Sequence, residues 1–169
     1  LVTTTVAAAT GTISTMVFTW IKNKKPDVSM TLNGSLAGLV AVTAGCANVD
    51  GVGAFFIGLG AGILGDVAVE VIDKKLHVDD PVGAIAVHGV NGLWGTIAVG
   101  LFSCGINPVT DEAGNVLSEQ LGLFYGGGFN MLGVQLMGIV CIAAWTLVWM
   151  TGLFLLLKHT CGLRASWIE

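Results

Sequence analysis

The 169 residues are 54% hydrophobic, with a mean hydropathy of +0.83, and only 11% are charged, against roughly 25% in a soluble domain. Seven basic and 11 acidic side chains are too few to cover a water-soluble domain of this size, and a net charge of -4 without a long basic run excludes an electrostatic nucleic-acid surface. The 25 glycines beside three prolines exclude collagen and Pro-rich linkers and suit close helix packing in lipid.

A spanning helix needs about 20 predominantly apolar residues. The uncharged interval from Leu1 to Ile21 predicts the first, over residues 1–21. The second is expected over 32–48, where Gly34 and Gly38 form a close-packing pair and Thr43 is the one hydroxyl of the distal half. A threonine at such a position bonds back to the carbonyl of the preceding turn. The third is expected over 52–73. Gly58, Gly62, Asp66 and Glu70 follow one another at i+4 steps along it, a stripe that must face protein or water. Glu70 can snorkel or pair with Lys74, whereas Asp66 lacks a local partner and is either paired across helices or protonated.

The fourth span is expected over 81–103. It opens on Asp79-Asp80-Pro81, with Asp80 as N-cap and Pro81 at the first helical position; a gating or partner-binding role for either aspartate is the alternative. His88 lies seven residues further on, roughly 10 Å along a helix. Helical spacing puts Ala84, Ile85, Asn91, Gly92 and Gly95 on its face, forming either a tight helix contact or the wall of a narrow passage. An ionisable residue at that depth is a functional candidate, the alternative being a neutral imidazole bonded to another helix. His88 lacks a second ligand at i+3 or i+4, so no metal site is expected. The fifth span is expected over 126–157, with Gly126-Gly127-Gly128 at its start.

These spans make an all-α, multi-pass membrane protein. Lys22, Lys24, Lys25, Lys74, Lys75, Lys158 and Arg164 all fall on one side of it, and Asp50, Asp111, Glu112 and Glu119 on the other. The positive-inside rule makes the basic side cytoplasmic, with the first residue outside and the C-terminus inside. Of the four cysteines only Cys46 and Cys104 fall near the same outer face, and the alternatives there are a disulfide or two free thiols. The chain opens on Leu1 within an apolar run, without an initiator Met or signal-peptide order, as a fragment would. Nothing in it resembles a nucleophile–base pair, a phosphate loop or a hydrolase carboxylate pair, so neither an enzyme nor a cofactor is expected.

Residues 33–47, NGSLAGLVAVTAGCA, and the stretch from IDKK at 72–75 through VDDPVGAIAVHGVNGLWGTIAVGLF at 78–102 closely resemble the ammonium transporter family, Amt/Mep/Rh, and its Amt branch in particular. GLFYGGG at 122–128 and CGLRAS at 161–166 are similar as well. The resemblance implies a fold of eleven spans, two five-helix inverted repeats plus a final long helix, assembled as a homotrimer with one pore per subunit. This chain would be the C-terminal, incomplete part of that domain, its last five spans. His88, in VHG, matches the second of the family's twin pore histidines, and Thr43 matches the threonine near the outer part of the conduction path. Ala84, Ile85 and Asn91 would then line the pore, while Asp79, Asp80 and Pro81 mark a cytoplasmic loop and helix start. Asn91 stands where many relatives have Cys, and Asp66 where they are usually apolar. The implied activity is passage of ammonium or ammonia with a proton relay at the histidines, for nitrogen uptake across the cell membrane. A PII-type signalling protein on the cytoplasmic face is an implied partner. The alternatives are an ammonium-sensing membrane domain and a non-conducting truncated fragment.

Overall fold

Threonine and alanine supply ten of the 22 residues of the first helix, α1 (Val2–Asn23), and Gly11 lies among them, so its surface is narrow there and other backbones can come close. Several of its hydroxyls are satisfied within the helix: Thr10 donates to the Val6 carbonyl at 2.9 Å and Thr12 to that of Ala8 at 2.7 Å. The structure, a computed structural model, describes residues 1–162. Arg164 and all but the first two residues of the CGLRAS segment therefore lie outside the described residues.

The second helix, α2 (Val28–Thr43), starts four residues before the expected boundary. The Asp27 carboxylate accepts the Met30 N–H at 3.0 Å and so caps the first turn. It also stops at Thr43 instead of residue 48, because residues 44–48 form a turn in which Val49 N–H returns to the Gly45 carbonyl. The third helix, α3 (Gly51–Glu70), is capped by Asp50 through the Gly53 N–H at 2.7 Å and continues as a π turn over Val71–Lys75. Outside the spans, that hydrogen bond from Gly53 holds the Asp50 carboxyl below its ordinary range.

Glycine makes the three-helix contact. A Cβ on Gly38 of α2 would lie 2.2 Å from the Ala7 carbonyl oxygen of α1, and one on Gly62 of α3 would lie 2.5 Å from that of Gly11. Thr15 fills the seam and donates to the Gly62 carbonyl at 2.9 Å. The core is correspondingly small in side chain, with Ala7, Ala37, Ala41, Ala54 and Ala61 at 0–1% exposure around Ile57.

After α3 the chain does not enter a helix at Pro81. Gly83 N–H bonds to the Asp80 carbonyl in a turn, and Gly83 adopts φ +70°, a left-handed conformation that interrupts a right-handed helix. Helical structure starts at Ala84, runs as a π segment over Ile85–Val90, and becomes α4 (Asn91–Phe102). Gly95 of α4 meets Ala41 of α2 so closely that a Cβ there would sit 2.2 Å from the Ala41 carbonyl oxygen. Trp94 ties α4 to α3 through Nε1–H to the Ile57 carbonyl at 3.0 Å.

Within the loop that follows, β1 (Val109–Thr110) and β2 (Val116–Ser118) form a small antiparallel hairpin. Asp111 organises its tip by accepting the Asn115 side-chain amide and the Ala113 and Asn115 backbone N–H groups. These bonds, the Asn115 side chain first, lower the Asp111 pKa. The last helix, α5 (Asn130–Thr160), starts four residues later than expected, since Gly126 and Gly128 have φ +89° and +66°. The chain divides into two units at Gln135/Leu136. The second unit is an apolar helical stretch whose Trp145 and Trp149 rings lie 5.4 Å apart.

Among the described residues three helical stretches, Gly51–Lys75, Ile85–Phe102 and Asn130–Thr160, are long and apolar enough to cross a bilayer; Val28–Thr43 is a shorter apolar helix. With the 22-residue α1, roughly 33 Å long at 1.5 Å per residue, these are the five helices of an all-α membrane protein.

Candidate functional site

His88 sits within the π segment, and its side chain is exposed, as are those of Ala84 and Ile85 beside it. The three form an apolar surface carrying one imidazole. Asn91 is not part of it. An i→i+5 turn holds more residues than the 3.6 of an α turn, so idealised α spacing does not set which residues share a face here; Asn91 lies on the packed side, and Ala84, Ile85 and His88 on the open one. Asn91 is wholly buried, and its side-chain amide donates to the Ala86 carbonyl at 3.1 Å. Gly95 is likewise buried, against α2. The spacing that grouped these residues with His88 assumed an uninterrupted α-helix from Pro81, and the π segment breaks that assumption.

Asp80 caps the segment, though across a wider gap than expected. Its Oδ2 accepts the N–H groups of Ile85 at 3.0 Å and Ala86 at 3.4 Å. Pro81 occupies the intervening turn instead of the first helical position, and Asp79 is exposed beside it. Because the helix starts at Ala84, His88 lies in its second turn, closer to the helix start than the expected two full turns.

Thr43 ends α2, exposed, and donates to the Leu39 carbonyl at 2.6 Å. This is the back-bonded arrangement its place in a helix favours. It lies at the end of an exposed stripe with Leu32, Leu36 and Leu39. Asn33 bonds to the Val82 carbonyl and Ala41 touches Gly95, so α2 runs parallel to the π segment and α4. Thr43 is two residues beyond that contact and His88 seven before it, a separation of roughly 13 Å in helical rise. The two candidates therefore occupy different levels of the molecule and are not in direct contact.

The carboxylates of α3 are paired across helices. Lys22 of α1 reaches Asp66 at 3.5 Å and also bonds Glu70, which pairs with Lys74 at 2.9 Å. Asp66 is only 6% exposed. A bond from α1 to α3 is invisible to i+4 reasoning, but Lys22 and Glu70 both fall at the basic end of their spans, which is the signal that links them. All four cysteines are free, and Cys104 Sγ instead contacts the Asn48 carbonyl at 3.2 Å. Among the described residues no cluster of three metal-ligating side chains occurs.

These helices and their order are matched by proteins of one kind. The Ammonium Transporter Family matches residues 1–169. The chain is 41% identical over 164 residues to ammonium transporter Amt2 of Archaeoglobus fulgidus, covering 96% of this chain and 34% of that protein. It is 36% identical over 163 residues to an ammonium transporter of Mycobacterium bovis, covering 96% and 33%. Among solved structures, a sensor Amt protein superposes with a TM-score of 0.81 at 34% identity, covering 98% of this chain and 38% of that one. Saccharomyces cerevisiae Mep2 superposes at 0.85 and 27% identity, covering 99% and 37%. The chain thus spans about a third of the length of these two curated relatives, both of which are named as ammonium transporters. With the whole chain matched in sequence and its helices superposing on those of solved relatives, this protein belongs to the ammonium transporter family.

Proposed function

We propose that these 169 residues are the C-terminal part of an ammonium transporter domain and supply one wall of its substrate path, with His88 as the proton-relaying group. The observation that carries this reading is the exposed imidazole on an otherwise apolar surface of a spanning helix, with Ala84 and Ile85 beside it. An ionisable side chain in that setting faces either protein or a water-filled path, and the helices of the first unit leave it uncovered. The preceding spans of the complete protein would form the opposite wall, as expected where two repeats enclose a midplane site.

Ammonium carries a charge that is costly in a narrow apolar passage, whereas ammonia is neutral. The proton leaves ammonium at the outer vestibule, ammonia passes along the apolar wall, and the proton travels separately through His88 and a second histidine contributed by the preceding spans. It rejoins ammonia on the inner side. Imidazole suits this task because it accepts a proton on one nitrogen and donates from the other near neutral pH. Thr43 lines the outer part of the same path. The basic residues orient the chain with its first residue outside and its C-terminus in the cytoplasm, where a PII-type protein has access to the loops, and three copies form the assembly.

In the complete protein, His88→Ala is expected to abolish the ammonium-evoked current on supported membranes. A current equal to wild type would reject the relay. Sensing is the second reading, favoured by the similarity to a sensor Amt protein; ammonium binding without an ammonium-evoked current in the wild-type protein would assign it.

A further inference from the structure

We propose that Asn91 is a positioning residue for His88, holding the π turn that directs the imidazole away from the helix bundle; the proposal rests on the reading that His88 faces the substrate path. The Asn91 backbone N–H donates to the carbonyls of both Ala86 and His88. Its side-chain amide adds a second donor to the Ala86 carbonyl at 3.1 Å. Asn91 therefore grips the π segment twice at Ala86 and once at the histidine's own carbonyl.

Two further observations separate this role from simple packing. Asn91 is 0% exposed, and its Oδ1 has no hydrogen-bond partner among the described residues. An orphaned buried acceptor is unfavourable, and an apolar side chain of similar shape would avoid it. The amide is explained by what its donor does. Its slot is also fitted to it: a Cβ on Gly65 of α3 would lie 3.1 Å from Asn91 Nδ2, so any larger residue there presses on the amide. A π turn is less favourable than a continuous α-helix and recurs at functional sites. Without the side-chain donor, the segment can relax toward α geometry, which rotates His88 and Ile85 about the helix axis.

The test uses the complete protein in lipid bilayers, with wild type, Asn91→Leu and Gly65→Ala compared by magic-angle-spinning NMR of isotopically labelled histidine and alanine. Asn91→Leu is expected to shift both the His88 imidazole nitrogen signals and the Ala86 carbonyl signal, and to lower the ammonium-evoked current about tenfold or more. Gly65→Ala, which keeps the donor but displaces it, should move the same signals by less. Unchanged His88 and Ala86 signals in a folded Asn91→Leu protein would overturn the proposal; if that variant does not fold, unchanged signals in Gly65→Ala would do so. The His88→Ala current measurement is independent of these spectra. Spectral shifts alongside a wild-type current in His88→Ala would retain the positioning and reject only the transport role.

Discussion

Asp50 shows how one side chain sets the edge of a span. Its carboxylate caps α3 through Gly53, and the Tyr125 hydroxyl lies beside it. Burial, and then the Asp50 carboxylate, push the Tyr125 phenol up to about 12. The Asp50 pKa is lowered from 3.8 in the folded protein, so its stabilisation is complete above that value and is lost as pH falls through the folded pKa. Tyr125 behaves oppositely, contributing below its ordinary pKa and losing that contribution as pH rises through about 12. Asp50→Ala is expected to cost about 1 kcal/mol at neutral pH and to flatten the acid limb of the melting temperature measured below pH 4. An acid limb identical to wild type would exclude Asp50 as its source. The sequence marked His88 because an imidazole among apolar residues stands out. It could not show that Asn91 turns away from it, since that depends on the π geometry of six residues, Ile85–Val90.

Helix contacts follow from glycine placement. The Gly58–Gly62 stripe was legible as a close-packing face because small residues recurred at i+4, and it does pack on α1. Gly62→Ala would drive a Cβ to 2.5 Å from the Gly11 carbonyl oxygen, and backbone cannot yield as a flexible side chain does. Overpacking of this kind costs about 1–3 kcal/mol. A lower melting temperature for the complete protein in detergent is expected, and an unchanged one would mean that α1 and α3 separate freely. Boundaries were less legible than contacts. Asp27 begins α2 earlier than hydropathy suggests, while Gly83, Gly126 and Gly128 delay α4 and α5 through positive φ. Hydropathy reports apolar length, whereas a cap or a left-handed glycine decides where the helix starts.

For the whole molecule, the distribution of basic residues is the feature with the longest reach. Orientation can be read with a membrane-impermeant maleimide on intact cells, in a background with Cys46→Ser and Cys104→Ser. Ala113→Cys, exposed at the hairpin tip, is expected to label from outside, and Lys75→Cys only after permeabilisation. The reverse pattern would overturn the positive-inside assignment. Composition and hydropathy by themselves determined that this is a glycine-rich helical membrane protein, because a scarcity of charge over span-length intervals permits little else. They also singled out His88. Only the tertiary structure decided that Lys22 reaches Asp66 from another helix, that Asn91 is buried while His88 is exposed, and that Thr43 and His88 stand at different levels. Those outcomes depend on helix rotation, crossing points and the position of one π turn, which residue spacing along a single idealised helix does not contain.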